Sequence, residues 1–107
     1  MVELSVILPV LNEQDNLIPI YDELVLVLNS LARPFEIIFI DDGSDDQSLE
    51  RLKRIQAADP RVSVLEFRRN FGQTAALAAG LRSSTGDVVI TMDADRQNDP
   101  ADIPALL

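Results

Sequence analysis

The chain contains no cysteine and no histidine. Without thiols, disulfides and thiolate metal sites are excluded. Without imidazole, a Ser-His-Asp relay, an imidazole base and histidine metal ligands are excluded as well. Basic residues are scarce: 9 Lys and Arg stand against 18 Asp and Glu, the formal charge is −9, and no Lys or Arg precedes Arg33. That balance argues against nucleic acid, which needs a basic footprint, and against electrostatic docking on an anionic membrane. Part of the charge is the solvated face of helices. Part is expected to be a metal site, neutral only when loaded. No apolar run approaches the roughly 18 residues of a membrane span. The N-terminus lacks the positive lead and cleavage site of a secretory signal, so a cytoplasmic location is the expectation. Two glycine patterns are missing too. Absence of G-x-x-x-x-G-K-[ST] argues against P-loop ATPase or GTPase chemistry, and absence of G-x-G-x-x-G after the first strand argues against dinucleotide binding.

What is present suits one compact domain: 107 residues, 47% of them hydrophobic. Leu4 to Val10 is a continuous β-rich apolar run, the pattern of a strand covered on both faces. Asn12 to Asn16 is polar and suits a loop. Leu17, Ile18, Tyr21, Leu24, Val25, Leu28 and Leu31 then recur at helical spacing, with Pro19 tolerable in the first turn. Phe35 to Ile40 predicts a second strand, and Ser44 with Gln47 fits a capping box that would start a helix there. Leu49, Leu52 and Ile55 mark the buried side of that helix, which Asp59-Pro60 ends. Val62 to Phe67 predicts a third strand. The Ala-rich stretch from Gln73 to Arg82, with Gly80, predicts a helix lying close against a sheet. Val88 to Met92 predicts a fourth, buried strand. Asp99-Pro100 opens a last helix with Pro at its first position. Strands alternating with helices imply right-handed crossovers and a parallel sheet. The expected fold class is therefore α/β, a doubly wound Rossmann-like sheet of order 3-2-1-4.

In such a sheet the carboxyl ends of all strands face one edge, where ligands bind. That edge collects Pro9, Asn12 and Glu13 after the first strand and Asp41 and Asp42 after the second. It collects Asn70 and Gly72 after the third, and Asp93, Asp95 and Gln97 after the fourth. Asp93-Ala94-Asp95 is the most pointed of these. An isolated Asp-x-Asp is often only turn chemistry, but acids arriving from separate loops at one edge point to a site. Carboxylate oxygens select Mg²⁺, Mn²⁺ or Ca²⁺, which suits a phosphate-bearing substrate in a chain that has no glycine cradle. Asp42 is placed to accept from a base N–H or a ribose hydroxyl. Asp41 reads as a loop or capping acid.

With those residues in place, the chain resembles the inverting family 2 glycosyltransferases of the type A fold. The likeness is to their polyprenyl-phosphate branch, which includes dolichol-phosphate mannose synthase and bacterial undecaprenyl-phosphate sugar transferases. The segments that carry the resemblance are SVILPVLNEQDNL, FEIIFIDDGSDDQS, RRNFGQTAALAAGL and GDVVITMDADRQNDPADIPAL, in the family's order. The resemblance implies transfer of a sugar from a nucleoside-diphosphate sugar to a polyprenyl phosphate, with inversion, assisted by Mn²⁺ or Mg²⁺. It implies that Pro9, Leu11, Glu13, Ile40, Asp42, Asp93, Ala94 and Asp95 contact the nucleotide sugar. Leu11 stands where many relatives carry Tyr. It implies metal ligation by Asp93, Asp95 and Gln97, with the catalytic role of Asp93 and Asp95 running through the metal. Asn70, Phe71 and Gly72 match the branch's loop and read equally well as a turn that positions the Ala-rich helix. Relatives continue for about as much chain again, which carries the acceptor side. The expectation is therefore that residues 1–107 are the nucleotide-sugar-binding half alone, binding nucleotide but turning over poorly, from relatives often associated with the cytoplasmic face of a membrane.

Two readings from other classes stay open at this stage. A phosphoacceptor signalling domain also places paired acids at strand ends, but it needs a Lys at a later strand end, and the single Lys, Lys53, lies mid-helix. A non-catalytic module that self-associates, as a homo-oligomer through apolar surface near Leu106 and Leu107, is the other.

Overall fold

The computed structural model describes residues 1–95 and 98–107. Strands β1 (Leu4–Val10), β2 (Phe35–Asp41), β3 (Val62–Glu66) and β4 (Val88–Thr91) alternate with helices α1 (Leu17–Ser30), α2 (Ser48–Ala58) and α3 (Gln73–Ser83). A 3₁₀ turn over Pro100–Asp102 runs into the short helix α4 (Ile103–Leu106). The four strands form one parallel sheet of order β3-β2-β1-β4. This is the doubly wound α/β arrangement that the alternation of apolar runs implies.

Strand alternation divides the core into two layers. Leu4, Val6, Leu8 and Val10 of β1 join Ile37 and Phe39 of β2 on one face, against Leu17, Ile20, Leu24 and Leu28 of α1, Leu52 and Ile55 of α2, and Ile103 of α4. Ile7, Ile38 and Ile40 face the other way and pack on Ala76 of α3. Each such fully buried aliphatic side chain contributes about 1.5–3 kcal/mol. Helix α3 approaches closely because its contact surface is small. A Cβ on Gly80 would run into the Ile7 side chain and lie 2.9 Å from Ile40 Cδ1.

Register explains where the sheet opens. Val10 pairs with Asp41, and Asp41 with Glu66, so β1, β2 and β3 end level. Strand β4 pairs only as far as Ile7↔Thr91. Its last tie to β1 is Met92 N donating to the Ile7 carbonyl at 2.9 Å. Beyond that point the β4 chain leaves Leu8, Pro9 and Val10, and a cleft forms between the departing loop and the end of β1.

At the opposite, amino ends of the strands, Asp59 anchors a polar cluster. Arg61 donates to both of its carboxylate oxygens, from Nε and from Nη2, each at 3.0 Å, and Tyr21 Oη donates to Oδ2 at 2.6 Å. The guanidinium also stacks 4.4 Å from the centre of the Phe35 ring. The Arg61 bond pair holds the Asp59 carboxyl down at about 2, against the cost of its burial. Burial first and the Asp59 carboxylate second push the Tyr21 hydroxyl up to about 12.

Several expectations need correction. Helix α2 starts at Ser48, not near Ser44, and no side-chain capping box forms. Ser44 Oγ instead accepts the Asn12 N–H at 2.9 Å, while Asp46 Oδ1 accepts the Ser48 N–H at 2.8 Å. On α1 the buried stripe runs through Ile20 rather than Ile18. Ile20 lies three residues after Leu17 and four before Leu24, on their face, whereas Ile18 turns to solvent. On α2, Ser48 rather than Leu49 joins Leu52 and Ile55 in the buried set. Strand β4 is an edge strand, not a buried one: only Ile90 of its four residues is buried, and Val88 is 40% exposed. Among the described residues no helix is long and apolar enough to cross a membrane.

Candidate active site

The cleft at the carboxyl edge has a volume of about 270 Å³ and is lined by Pro9, Val10, Leu11, Glu13, Asp42, Asn70, Gly72, Gln73, Asp93, Ala94 and Asp95. Residues far apart in the chain therefore meet in one groove. The loops after β1 and β2 are laced together. Asn12 Oδ1 accepts the Asp45 N–H at 2.9 Å, Ser48 Oγ accepts the Glu13 N–H at 2.9 Å, and Gln14 Oε1 accepts the Gln47 N–H at 2.8 Å. Asn12 adopts a left-handed conformation (φ 54°), which Asn tolerates better than most residues. This lacing fixes the rim that carries Leu11, 41% exposed, and Glu13, whose Oε2 accepts from Asn16 Nδ2 at 2.7 Å.

The two acids after β2 have separate fates. Asp42 is buried, lines the cleft, and accepts the backbone N–H of Phe71 and of Gly72. It ties the end of β2 to the start of α3. Gly43 is required beside it: its φ is +77°, and a Cβ there would lie 2.6 Å from Asn70 N. Asp41 is also buried, outside the cleft lining, and its Oδ2 accepts the Ser44 N–H at 3.3 Å, as a loop acid should. Its Oδ1 is buried with no hydrogen-bond partner among the described residues. Burial raises the Asp41 carboxyl above its ordinary range; the Ser44 hydrogen bonds oppose this, and the Glu66 and Asp46 charges add to it.

After β4, Asp93 Oδ1 accepts from Gln73 Nε2 at 3.2 Å, and the Asp93 N–H donates to Asn98 Oδ1 at 3.0 Å. Ala94 is buried beneath the loop, and Asp95 is exposed on it. Gln97 lies outside the described residues.

Of the nucleotide-contact residues expected from sequence, Pro9, Leu11, Glu13, Asp42, Asp93, Ala94 and Asp95 share the cleft. Ile40 does not line it: its side chain is fully buried in the layer against α3. It shares the face of Asp42, two residues on, but α3 covers it there through Ala76 and Gly80. Sequence reasoning assigned no contact to Asn70 and Gly72 and overlooked Val10 and Gln73. Gln73 could have been found, because the residue after Gly72 starts a helix at the same sheet edge. Lys53 pairs with Glu66 at 3.7 Å and is not among the lining residues.

Chemically, the described lining holds four carboxylates, Glu13, Asp42, Asp93 and Asp95, and no Lys or Arg. Such a cleft repels a bare diphosphate. No three described acids lie close enough together to enclose a cation by themselves. Two carboxylates completed by substrate phosphates is, however, the ordinary way of holding Mg²⁺, so the donor set fits an ion that arrives with a phosphate ligand.

An open α/β sheet with a crevice beside its switch point is a ligand-binding architecture. The chain belongs to glycosyl transferase family 2, whose pattern matches residues 5–107. It is 42% identical over 105 residues to the undecaprenyl-phosphate 4-deoxy-4-formamido-L-arabinose transferase of Pectobacterium atrosepticum, covering 96% of this chain and 32% of that protein. The enzyme of the same name from Salmonella choleraesuis is 42% identical over 106 residues, covering 98% of this chain and 32% of that protein. Among solved structures, it is similar to a mannosyltransferase from Pyrobaculum calidifontis in complex with GDP-Man and Mn²⁺: TM-score 0.73, 26% identity, 96% of this chain and 30% of that one. It is also similar to the glucosyl-3-phosphoglycerate synthase of M. tuberculosis: TM-score 0.71, 27% identity, 95% of this chain and 38% of that one. The fold is thus that of the type A glycosyltransferases. The chain spans about a third of the length of the curated relatives it matches.

Proposed function

We propose that residues 1–107 form the donor-binding part of an inverting glycosyltransferase that moves a sugar from a nucleoside-diphosphate sugar to a polyprenyl phosphate. The observation that carries this reading is the convergence of Glu13, Asp42, Asp93 and Asp95 on one cleft from three separate loops. The acceptor class rests on the likeness to the undecaprenyl-phosphate 4-deoxy-4-formamido-L-arabinose transferases.

In this reading Pro9, Val10 and Leu11 form the apolar wall for the base. Asp42, with its remaining lone pairs, accepts from the ribose or the base. Asp93 and Asp95 would hold Mn²⁺ or Mg²⁺ by carboxylate oxygens; Gln97, which the resemblance adds to them, lies outside the described residues. When bound, that cation supplies Lewis-acid stabilisation of the departing diphosphate, worth roughly 3 kcal/mol or more of barrier. The acidic lining then also weakens the binding of nucleotide that arrives without a cation. A polyprenyl phosphate is already ionised at neutral pH, so the chain's lack of histidine removes nothing from the displacement. The site would work at the cytoplasmic face of a membrane, where an activated donor and a lipid phosphate meet.

Calorimetry with uridine and guanosine diphosphates, each with and without Mn²⁺, tests the reading. Binding of one of them that strengthens with Mn²⁺ is the expected result. Equal binding with and without the ion, or none of either nucleotide, would remove it.

A further inference from the structure

Gln73 is the first residue of α3, yet its side chain reaches the loop after β4, donating from Nε2 to Asp93 Oδ1 at 3.2 Å. Both residues line the cleft. Both also line a second cavity of about 230 Å³, together with Thr91, Met92 and Asn98. The pair is therefore the partition between two openings, held in place by one hydrogen bond.

Each partner is fixed from behind. The Asp93 backbone N–H donates to Asn98 Oδ1 at 3.0 Å. On the other side, Asp42 takes the Phe71 and Gly72 N–H groups, and the Gly72 carbonyl accepts the Ala76 N–H at 3.1 Å, which opens α3. The place where α3 begins, and so the reach of Gln73, is set by the buried carboxylate of β2.

A donor on one oxygen of a carboxylate restricts its rotation and leaves the second oxygen available. The chemistry of the donor matters. An uncharged amide orients Asp93 without opposing a divalent cation. An ammonium at this position could make the same hydrogen bond but would repel the ion.

Resting on the reading of Asp93 as a metal ligand, we propose that Gln73 is a positioning residue: it holds the Asp93 carboxylate in the orientation that accepts the cation and links the Asp42 end of the cleft to the metal end. Partners that orient metal ligands typically change metal affinity by about 10–100-fold when removed. Gln73 is solvent-exposed, which places its effect at the lower end of that range.

The test is a Mn²⁺ titration of the chain in the presence of uridine or guanosine diphosphate, with free Mn²⁺ read by electron paramagnetic resonance. Gln73→Met keeps the length of the side chain and removes the donor. It is expected to weaken Mn²⁺ uptake about 10-fold, while the thermal midpoint and the metal-free nucleotide affinity stay as in the parent. Gln73→Lys, which keeps a donor and adds charge, is expected to weaken uptake further. Uptake by Gln73→Met within about twofold of the parent overturns the proposal, since the expected loss is several times larger. So does a loss matched by an equal fall in metal-free nucleotide affinity, the mark of a general loosening. A parent that takes up no Mn²⁺ with either diphosphate, or an Asp95→Ala variant that takes it up normally, removes the metal reading itself and this proposal with it.

Discussion

Asp42 Oδ1 accepts the Phe71 N–H at 2.8 Å, and its Oδ2 accepts the Gly72 N–H at 3.1 Å. A carboxylate at the end of one strand thus serves as the anchor for a loop that arrives some thirty residues later. It is the only kind of side chain suited to this: two acceptor oxygens, no donor, and lone pairs left over for a ligand.

Asp42→Asn puts an NH₂ group against one of those two backbone donors. A buried donor left unsatisfied costs about 1–3 kcal/mol. The urea midpoint is expected to fall accordingly, and the amides of Phe71 and Gly72 are expected to exchange with solvent faster than those of α1. Hydrogen exchange followed by NMR measures both sites directly. Unchanged exchange at Phe71 and Gly72 would show that the loop does not depend on this anchor.

Asp95 lies exposed on the loop after β4. Its replacement by Ala is expected to abolish the Mn²⁺-dependent part of nucleotide binding and to change stability by no more than about 0.5 kcal/mol, as for most surface positions. Calorimetry and thermal unfolding of the same sample separate the two effects. Retained Mn²⁺ dependence would rule Asp95 out as a ligand.

Gly80 offers a case where two local rules oppose each other. Ala is favoured over Gly in a helix by about 1 kcal/mol. Here the added methyl meets Ile7 and Ile40 in a filled layer, and overpacking costs about 1–3 kcal/mol. Gly80→Ala is therefore expected to lower the unfolding midpoint despite its better helix propensity. A higher midpoint would mean that α3 can lift from the sheet at little cost.

The Asp59 cluster sets the acid limit. Its carboxyl sits at about 2 in the fold against 3.8 ordinarily. The contribution is fully present above pH 3.8 and is lost as pH falls from there towards about 2; it amounts to about 2 kcal/mol. Tyr21 has the opposite sign of shift. Its hydroxyl is raised from 10.0 to about 12, so its share is present below pH 10 and is lost as pH rises through that window. Urea midpoints across acid and alkaline pH are expected to decline in both windows for the parent and to show a smaller acid decline in Asp59→Asn, where the lowered carboxyl of Asp46 remains.

Asp41 should behave as a cost rather than a support near neutrality. Burial raises its carboxyl, so the folded state is disfavoured as that group ionises with rising pH. Asp41→Asn is expected to raise the urea midpoint at pH 7, with a gain that shrinks towards pH 4. A loss at pH 7 would mean that the charge of Asp41 is satisfied in solution.

Much of this was legible from the chain alone, and the reasons differ by element. β1 could be bounded because a continuous apolar run, bordered by polar residues, admits one reading. Handedness and alternation implied a parallel sheet, and the expected order 3-2-1-4, one of the two common doubly wound orders, is the one found. The α2 start was misplaced because Ser44 had a competing partner, the Asn12 amide, that no local pattern reveals. The Ile40 side chain lies outside the lining because α3 covers it, a placement that no pattern along β2 reveals. Gln73 was missed because its role depends on a contact with Asp93, and the distance between two loops is set by the sheet and not by spacing in the chain. The edge character of β4 depends on what lies beside it, which the run Val88, Val89 and Ile90 does not encode.

The Tyr21–Asp59–Arg61 cluster sits at the amino ends of the strands, and the cleft at their carboxyl ends. Sites that far apart and without shared partners contribute additively to stability. The molecule thus has a foundation and a workbench at opposite poles, so an exposed residue of the cleft such as Asp95 can be exchanged without spending the reserve that the Asp59 cluster holds.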